Sequence, residues 1–265
     1  MKLIGRFSNA EAYDRHTGRF SRMLAGPFID FAGVENGDRL LDVGCGTGSL
    51  AFTAADLNPR SEIVGVDRSE SFIEHDRART NDPRLRFEVG DALNLPYPDG
   101  SFDKCLSLLV IQFIPDVQRA VNEMRRVTRP GGTTAACVWS RDDDELHTLF
   151  WDSAAELDPE GKQARDARAY AAGQLSTLWV QCGFEGVEET AFVIFPEFES
   201  FDAYWTPLVG GQGASGTYLA SLSTGRQETL RQSVREKILG RGPDRPFKLK
   251  AKAWAVRGVR DRYEA

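Results

Sequence analysis

Residues Leu40 to Leu50 read LLDVGCGTGSL, an apolar run, an acid at Asp42, and glycines at 44, 46 and 48. Those types at that spacing serve recognition rather than bond making. The apolar run reads as a buried parallel strand. The glycines allow a sharp turn and let a ligand lie on bare main chain. A helical pattern from about Ser49 to Leu57 aims its N-terminal amides at the same spot. Such a loop suits a nucleotide-like molecule. The dinucleotide fingerprint G-x-G-x-x-G sets a pyrophosphate on the helix N-terminus. Here the spacing is G-x-G-x-G, position 49 is Ser, and Asp42 would repel a diphosphate. An acid there suits a ligand with a positive group, such as an amine.

Further along, Ile63-Val-Gly-Val-Asp67 ends a second apolar strand in an acid. In open α/β sheets ligands bind at the carboxyl edge, and a carboxylate can accept both hydroxyls of a vicinal diol. The competing reading of Asp67 is a helix cap, since Ser69 and Glu70 follow. Asp91 has the same ambiguity, as it can cap a turn before Pro96. Downstream, Leu106 to Phe113 reads LSLLVIQF and Glu123 to Gly132 reads EMRRVTRPGG.

In this order and spacing the segments resemble the class I S-adenosylmethionine (SAM)-dependent methyltransferases, close to the small-molecule type that includes the ubiquinone and menaquinone biosynthesis enzymes. The likeness is close over about residues 10–140 and holds only in outline beyond. SAM carries an amine and a sulfonium and no phosphate, which agrees with Asp42. The resemblance implies a cofactor site at Asp42, Gly44, Cys45, Gly46 and Gly48. It places Asp67 and Arg68 at the ribose hydroxyls, Asp91 at the adenine amino group, the Ala92 amide at a ring nitrogen, and Leu108 at the end of the fourth strand. In related enzymes a segment like the one holding Tyr13, Arg19 and Arg22 folds over the cofactor, with an arginine or tyrosine on its methionine carboxylate. A guanidinium fork suits that role. A solvated helix face is the alternative. The product would be S-adenosylhomocysteine (SAH).

The elements that must position these residues follow from the pattern. Residues 7–34 are mostly helical. Strands are expected near 39–43, 62–67, 84–89, 102–109 and 133–139, with helices between them at 49–57, 70–79 and 116–127. That alternation signals right-handed crossovers and a parallel sheet. Beyond Trp139, helices are expected near 145–157, 160–171, 175–182 and 224–239. Strands are expected over 187–195 and 247–258, and a glycine-rich flexible loop over 207–215. The fold implied is α/β: one Rossmann-like domain over 1–265 with a seven-stranded, mostly parallel sheet, helices on both faces and an antiparallel last strand. The core runs over about 37–140. Irregular stretches at 141–172 and 196–245 sit where the family carries helical lid insertions.

Methyl transfer from a sulfonium is an in-line displacement, so the enzyme mainly aligns groups and excludes water. No covalent residue is required. Gln112 stands where relatives often have histidine, and an amide cannot serve as a base. His147, after the acidic run RDDDE, is the other catalytic candidate, against the plain reading of a surface histidine. Gln112, Phe113, Trp151 and Trp205 are the candidate pocket residues for a ring or apolar acceptor. Core packing is the alternative for the two tryptophans. The turn after the fourth strand lacks the Asp/Asn-Pro-Pro-aromatic motif of enzymes that methylate exocyclic nitrogens. A Pro-Cys nucleophile for pyrimidine carbon-5 is also absent.

The net charge of −6, from 33 basic and 39 acidic residues, argues against bulk nucleic-acid affinity. A local exception is the basic strip from Arg241 to Arg262, in which Lys248, Lys250 and Lys252 alternate with apolar residues. It reads as an edge-like strand with a lysine face. An RNA methyltransferase using that strip, a nicotinamide oxidoreductase and a non-catalytic SAM-binding protein are the rival readings. Cys45, Cys105, Cys137 and Cys182 form no C-x-x-C pair, and His16, His75 and His147 no H-E-x-x-H, so no metal is expected. No apolar run reaches the roughly twenty residues of a membrane helix. The first residues lack an apolar leader, so a cytoplasmic location is expected. The expected partner is a small-molecule acceptor, and the oligomeric state is open.

Overall fold

The computed structural model describes residues 10–166, 170–211 and 213–262. Residues 1–9, 167–169, Gln212 and 263–265 lie outside it, and with them the segment read for a leader, the first residues of the expected 7–34 helix, part of the 160–171 pattern and one residue of the glycine loop. The described residues fall into two compact units. A sheet unit holds residues 10–138, 170–192 and 253–262, and a helical unit holds 139–166, 193–211 and 213–252.

In the sheet unit the chain enters as helix α1 (Ala10–Tyr13), a π-helical turn (Asp14–Gly18) and α2 (Arg19–Phe31). Then β1 (Arg39–Val43), α3 (Ser49–Leu57), β2 (Glu62–Asp67), α4 (Glu70–Ala78), β3 (Leu85–Val89) and β4 (Phe102–Leu108) alternate as the pattern requires. After them come α5 (Val117–Val127) and β5 (Thr128–Trp139). The sheet has seven strands in the order β3-β2-β1-β4-β5-β9-β6, mostly parallel with one antiparallel strand. Here β6 is Phe184–Ile194 and β9 is Ala251–Arg260. The order reverses between β1 and β4, whose registers put Asp42 beside Leu106. A crevice opens at such a reversal outside the carboxyl ends of the strands.

The core explains the order. Leu41, Val43, Val64, Phe102, Cys105, Ala136 and Val138 from the strands pack with Val121 and Met124 of α5 and Trp179 of α8 (Gln174–Gln181). Strands buried on both faces read as continuous apolar runs, which is why they were visible in the sequence. Pro130-Gly131-Gly132 ends no helix. It bulges from β5, where the register against β4 jumps from Phe102↔Thr128 to Lys104↔Thr133.

The helical unit contains α6 (Glu145–Leu157), α7 (Pro159–Asp166), α9 (Phe201–Val209), α10 (Gly213–Ser221) and α11 (Thr224–Leu239). A two-stranded ribbon joins β7 (Glu197–Phe198) to β8 (Phe247–Lys248). Two expectations are corrected. The 207–215 segment is the end of one helix and the start of another, with only the turn around Gly210-Gly211 between them. The glycines mark the helix break rather than a long loop. The 247–258 strand is interrupted at Leu249-Lys250. Its second part, β9, lies inside the sheet between β5 and β6, so it is no edge strand.

Gly258 of β9 shows how tightly that interior strand is packed. A methyl group there would lie 2.7 Å from Phe184 Cβ and 2.8 Å from Trp179 Cδ1. Gly258→Ala is expected to destabilise the protein by about 1–3 kcal/mol, read as a lowered urea midpoint.

Candidate functional site

The glycine loop is built by three left-handed turns of backbone. Gly44, Gly46 and Gly48 have φ of 74°, 57° and 74°, a region that side-chain-bearing residues avoid. Space forbids side chains as well. A methyl group on Gly44 would sit 2.3 Å from Val110 Cγ1, and one on Gly48 would sit 2.6 Å from Phe52 Cε2. The Gly44 and Cys45 amides donate to the Val66 carbonyl at 2.7 and 3.1 Å, which fastens the loop to β2. Val110 reaches Gly44 because Leu109 before it is itself left-handed, with φ of 62°. Such strain in a buried non-glycine residue is typical of functional sites. The Leu109 amide donates to the Cys137 carbonyl at 2.8 Å, which holds the strained turn.

Carboxylates surround the loop. Asp67 accepts the Gly46 amide at 3.0 Å on one oxygen and the Ser69 amide at 2.8 Å on the other. Each oxygen keeps a lone pair for an outside donor. Burial pushes the Asp67 carboxyl up, opposed by those two amides and by Arg68. Asp42 is buried, and among the described residues its Oδ2 has no hydrogen bond. Burial pushes it up to about 8, against an amide bond from Ala51, with the Asp67 charge adding to the rise. A buried carboxylate oxygen without a donor is costly unless a ligand supplies one.

The sequence reading missed Asp76. It lies on the buried face of α4 with Phe72 and Ile73, and a methyl group on Gly48 would touch its Oδ2 at 3.2 Å. The signal was available, because Asp76 falls at helical spacing from two apolar residues. Burial pushes it up to about 8. Arg79, at 3.5 Å, pulls it down, and the Asp42, Asp67 and Asp14 charges push it up. Two more missed residues hold Thr47 of the loop. Arg79 donates to its carbonyl at 2.8 Å, and Asp14 accepts its hydroxyl at 3.1 Å. Asp14 comes from the π-helical turn, a form that recurs at functional sites.

The remaining expected cofactor residues also belong to the sheet unit. Tyr13 packs on Phe72 with ring centres 5.3 Å apart, and burial with the Asp67 and Asp14 charges raises its phenol. The Arg19 guanidinium lies 4.6 Å from the centre of the Phe20 ring, and burial lowers its pKa. Asp91 caps its own turn, accepting the Leu93 amide at 2.9 Å on Oδ1. Among the described residues its Oδ2 has no hydrogen bond, so one oxygen is left for a ligand. Ala92 follows it in the same turn. Leu108 ends β4, and Gln112 and Phe113 lie in the 3-10 turn Ile111–Phe113 beyond it.

The other candidates lie in the helical unit. His147 Nδ1 is 2.7 Å from Asp144 Oδ2, and its ring packs against Trp139 at 4.6 Å. Asp144 is buried. Trp151 and Trp205 are 7% and 5% exposed. Trp151 meets Phe150 and Tyr218, and Trp205 meets Phe150 and Phe201. In the basic strip Arg241 pairs with Glu236, Lys248 with Glu197, Lys250 with Asp143 and Arg257 with Glu188. Arg260 donates to the carbonyls of Arg126 and Thr128 at 2.8 Å each. Among the described residues no helix is long and apolar enough to cross a membrane.

Residues 41–136, from β1 to β5, match the methyltransferase domain family. That stretch holds the glycine loop with Asp42, Asp67, Asp76 and Asp91, and the match agrees with the resemblance to class I SAM-dependent methyltransferases. The chain is 40% identical over 129 residues to the 27-O-demethylrifamycin SV methyltransferase of Amycolatopsis mediterranei, over 47% of its own length and 44% of the relative's. It is 33% identical over 134 residues to the demethylmenaquinone methyltransferase of Staphylococcus aureus, over 49% and 53%. The chain thus spans about half the length of the curated relatives it matches. In fold it is similar to the YcgJ protein of Bacillus subtilis, with a TM-score of 0.60 at 20% identity over 92% of this chain and 99% of that one. The same score is reached at 19% identity with phosphoethanolamine N-methyltransferase 2 of Haemonchus contortus, over 96% and 58%.

The buried acids give the methyltransferase domain a pH signature. An acid whose folded pKa is raised binds its proton more tightly when folded, so stability falls as pH rises from the unfolded value to the folded one. For Asp42 and Asp76 that window runs from 3.8 to about 8. The ligand-free protein is expected to melt lower at pH 8.5 than at pH 5, and Asp76→Asn to flatten that fall, as scanning calorimetry across the window would show.

Proposed function

We propose that the chain transfers the methyl group of SAM to a small, ring-containing or otherwise apolar acceptor. The observation that carries this reading is the glycine loop set between Asp42 and Asp67, with the Gly46 amide on the Asp67 carboxylate. The site fits SAM on its own terms. The loop is bare backbone, the Asp42 Oδ2 awaits a donor such as the ligand's amine, and Asp67 keeps lone pairs for the ribose hydroxyls. Asp91 Oδ2 and the Ala92 amide take the adenine edge. Gly44, Cys45, Gly46 and Gly48 supply the floor, with Arg68 and Leu108 at its sides and Tyr13 and Arg19 at the methionine carboxylate.

When bound, SAM supplies a methyl carbon already activated by positive sulfur. The acceptor's lone pair forms the new bond, the carbon–sulfur bond breaks with its electron pair on sulfur, and SAH leaves. The protein's part is alignment and exclusion of water. A small acceptor is supported by the relatives named for a rifamycin and a menaquinone precursor. The ion pairing of the basic strip favours it over a nucleic acid. Gln112 and Phe113 are the pocket residues of the sheet unit, and Trp151 and Trp205 those of the helical unit.

For acceptors that must lose a proton, His147 is the base. Asp144 Oδ2, 2.7 Å from Nδ1, holds the ring in place and leaves Nε2 to face an acceptor.

Calorimetry with SAM against NAD tests the reading directly, with SAM binding and NAD not. Asp67→Ala is expected to weaken SAM at least tenfold, and NAD bound in preference would overturn the proposal. With a hydroxyl acceptor identified by SAH release, His147→Gln is expected to cost about 10²-fold in kcat and leave SAM affinity in place. Unchanged kcat removes His147 from the reaction.

A further inference from the structure

The segment from Asp91 to Asp99 has almost no regular structure of its own. Its one backbone pairing is the isolated bridge between Asp91 and Asn94. Yet it carries the two groups assigned above to adenine. Its shape comes from one face of α5, where Arg119, Glu123 and Arg126 recur at i, i+4 and i+7. Arg119 Nε donates to the Leu93 carbonyl at 2.9 Å. Glu123 Oε2 accepts the Leu95 amide at 2.8 Å. Arg126 donates to the Leu95 carbonyl at 2.9 Å, the Tyr97 carbonyl at 2.7 Å and Asp99 Oδ1 at 2.8 Å. Arg126 and Glu123 are themselves joined by two parallel bonds of 2.8 Å, the fork geometry that fixes a guanidinium in plane.

We propose that this charged face of α5 is a positioning element that sets the methyltransferase's recognition of the adenine base. It rests on the reading of Asp91 and Ala92 as the adenine contacts. The path is short. Leu93, held through its carbonyl by Arg119, gives its amide to Asp91 Oδ1. The Asn94 amide donates to the Asp91 carbonyl at 2.9 Å, and its neighbour Leu95 is gripped at both amide and carbonyl. The grip therefore fixes the rotation of the Asp91 carboxylate and with it the direction of Oδ2. At the other end, the Gly90 amide on the Asp67 carbonyl at 3.0 Å joins the segment to β2. Charged partners suit the task, because bonds to ionised groups are about twice as strong as neutral ones. A guanidinium that grips backbone also acts whatever the loop's side chains are.

A clamp that only added stability would change the affinity of every cofactor-like ligand together. A positioning clamp changes the choice between bases. The test compares SAH with its inosine analogue, S-inosylhomocysteine, in which a carbonyl replaces the adenine amino group. The full chain is used, with titration calorimetry and no acceptor. The wild type is expected to prefer SAH by tenfold or more. Glu123→Ala, which strips the acceptor from the Leu95 amide, is expected to weaken SAH about tenfold and bring the ratio of the two ligands towards one. Arg119→Ala removes a single bond on a half-open face and is expected to do the same to a smaller degree, about threefold, should Glu123→Ala not fold. Weakening of both ligands by the same factor, or no weakening, overturns the proposal. Asp91→Ala run alongside separates it from the reading beneath: an unchanged ratio in that variant refutes adenine recognition by Asp91 itself. A lost ratio in Asp91→Ala with an intact one in both α5 variants refutes only the clamp.

Discussion

The bond from the Gly46 amide to the Asp67 carboxylate is where the structure's demands meet. It ties the turn after β1 to the end of β2, across two strands that run parallel with Val43 beside Val66. For it to form, the loop must turn through three left-handed residues, which favours glycine at 44, 46 and 48, and Val110 and Phe52 leave no room for a side chain at 44 and 48. It must also leave the carboxylate half sheltered, which costs desolvation that only good donors offset. The neighbouring elements can be understood as conditions for that contact. The β1–β4 reversal opens the crevice, the strained Leu109 turn lets Val110 close the loop from one side, and Phe52 closes it from the other.

Charge makes the same region unlike the rest of the interior. Asp42, Asp67 and Asp76 are drawn together with Asp14 nearby, and their shifts all point upward. Arginines answer three of these four acids, Arg68 opposing the rise of Asp67. Arg22 pairs with Asp14 at 2.7 Å and Arg79 reaches Asp76 at 3.5 Å. Burial holds the Asp42 and Asp76 carboxyls protonated up to about pH 8, so the crowding of acids is relieved by neutralisation as well as by these arginines. Asp14 and Arg79 also grip Thr47 from opposite sides, so the elements that bound the acids are the ones that hold the loop in shape.

The sheet core was legible because its signals are local. Buried parallel strands are apolar runs of a few residues, and the loop needs glycines at set spacing, so both can be read from short windows. What escaped is what depends on contacts between distant segments. Asp76 looks like one more acid on a charged helix until α4 is laid against the loop. The glycines at 210–213 read as a flexible loop, but a turn between two helices uses the same residues. The lysines at 248–252 gave an edge pattern, yet β9 is covered on both sides by β5 and β6, a fact of topology that alternation alone does not encode. Pro130-Gly131-Gly132 lies past the end of α5, as a bulge inside β5.

The helical unit follows a different logic. Its aromatic residues stand in mutual contact: Phe150 with Trp151, Trp205 and Tyr218, and Phe198 with Tyr204 and Phe247. A unit of this size, built from short helices and one two-stranded ribbon, has little regular sheet to bury. It gets its cohesion from large side chains instead. Trp151 and Trp205, 7% and 5% exposed, therefore carry the unit's stability first. Selectivity by such a unit depends on how the helices are spaced, more than on which aromatic residue is present.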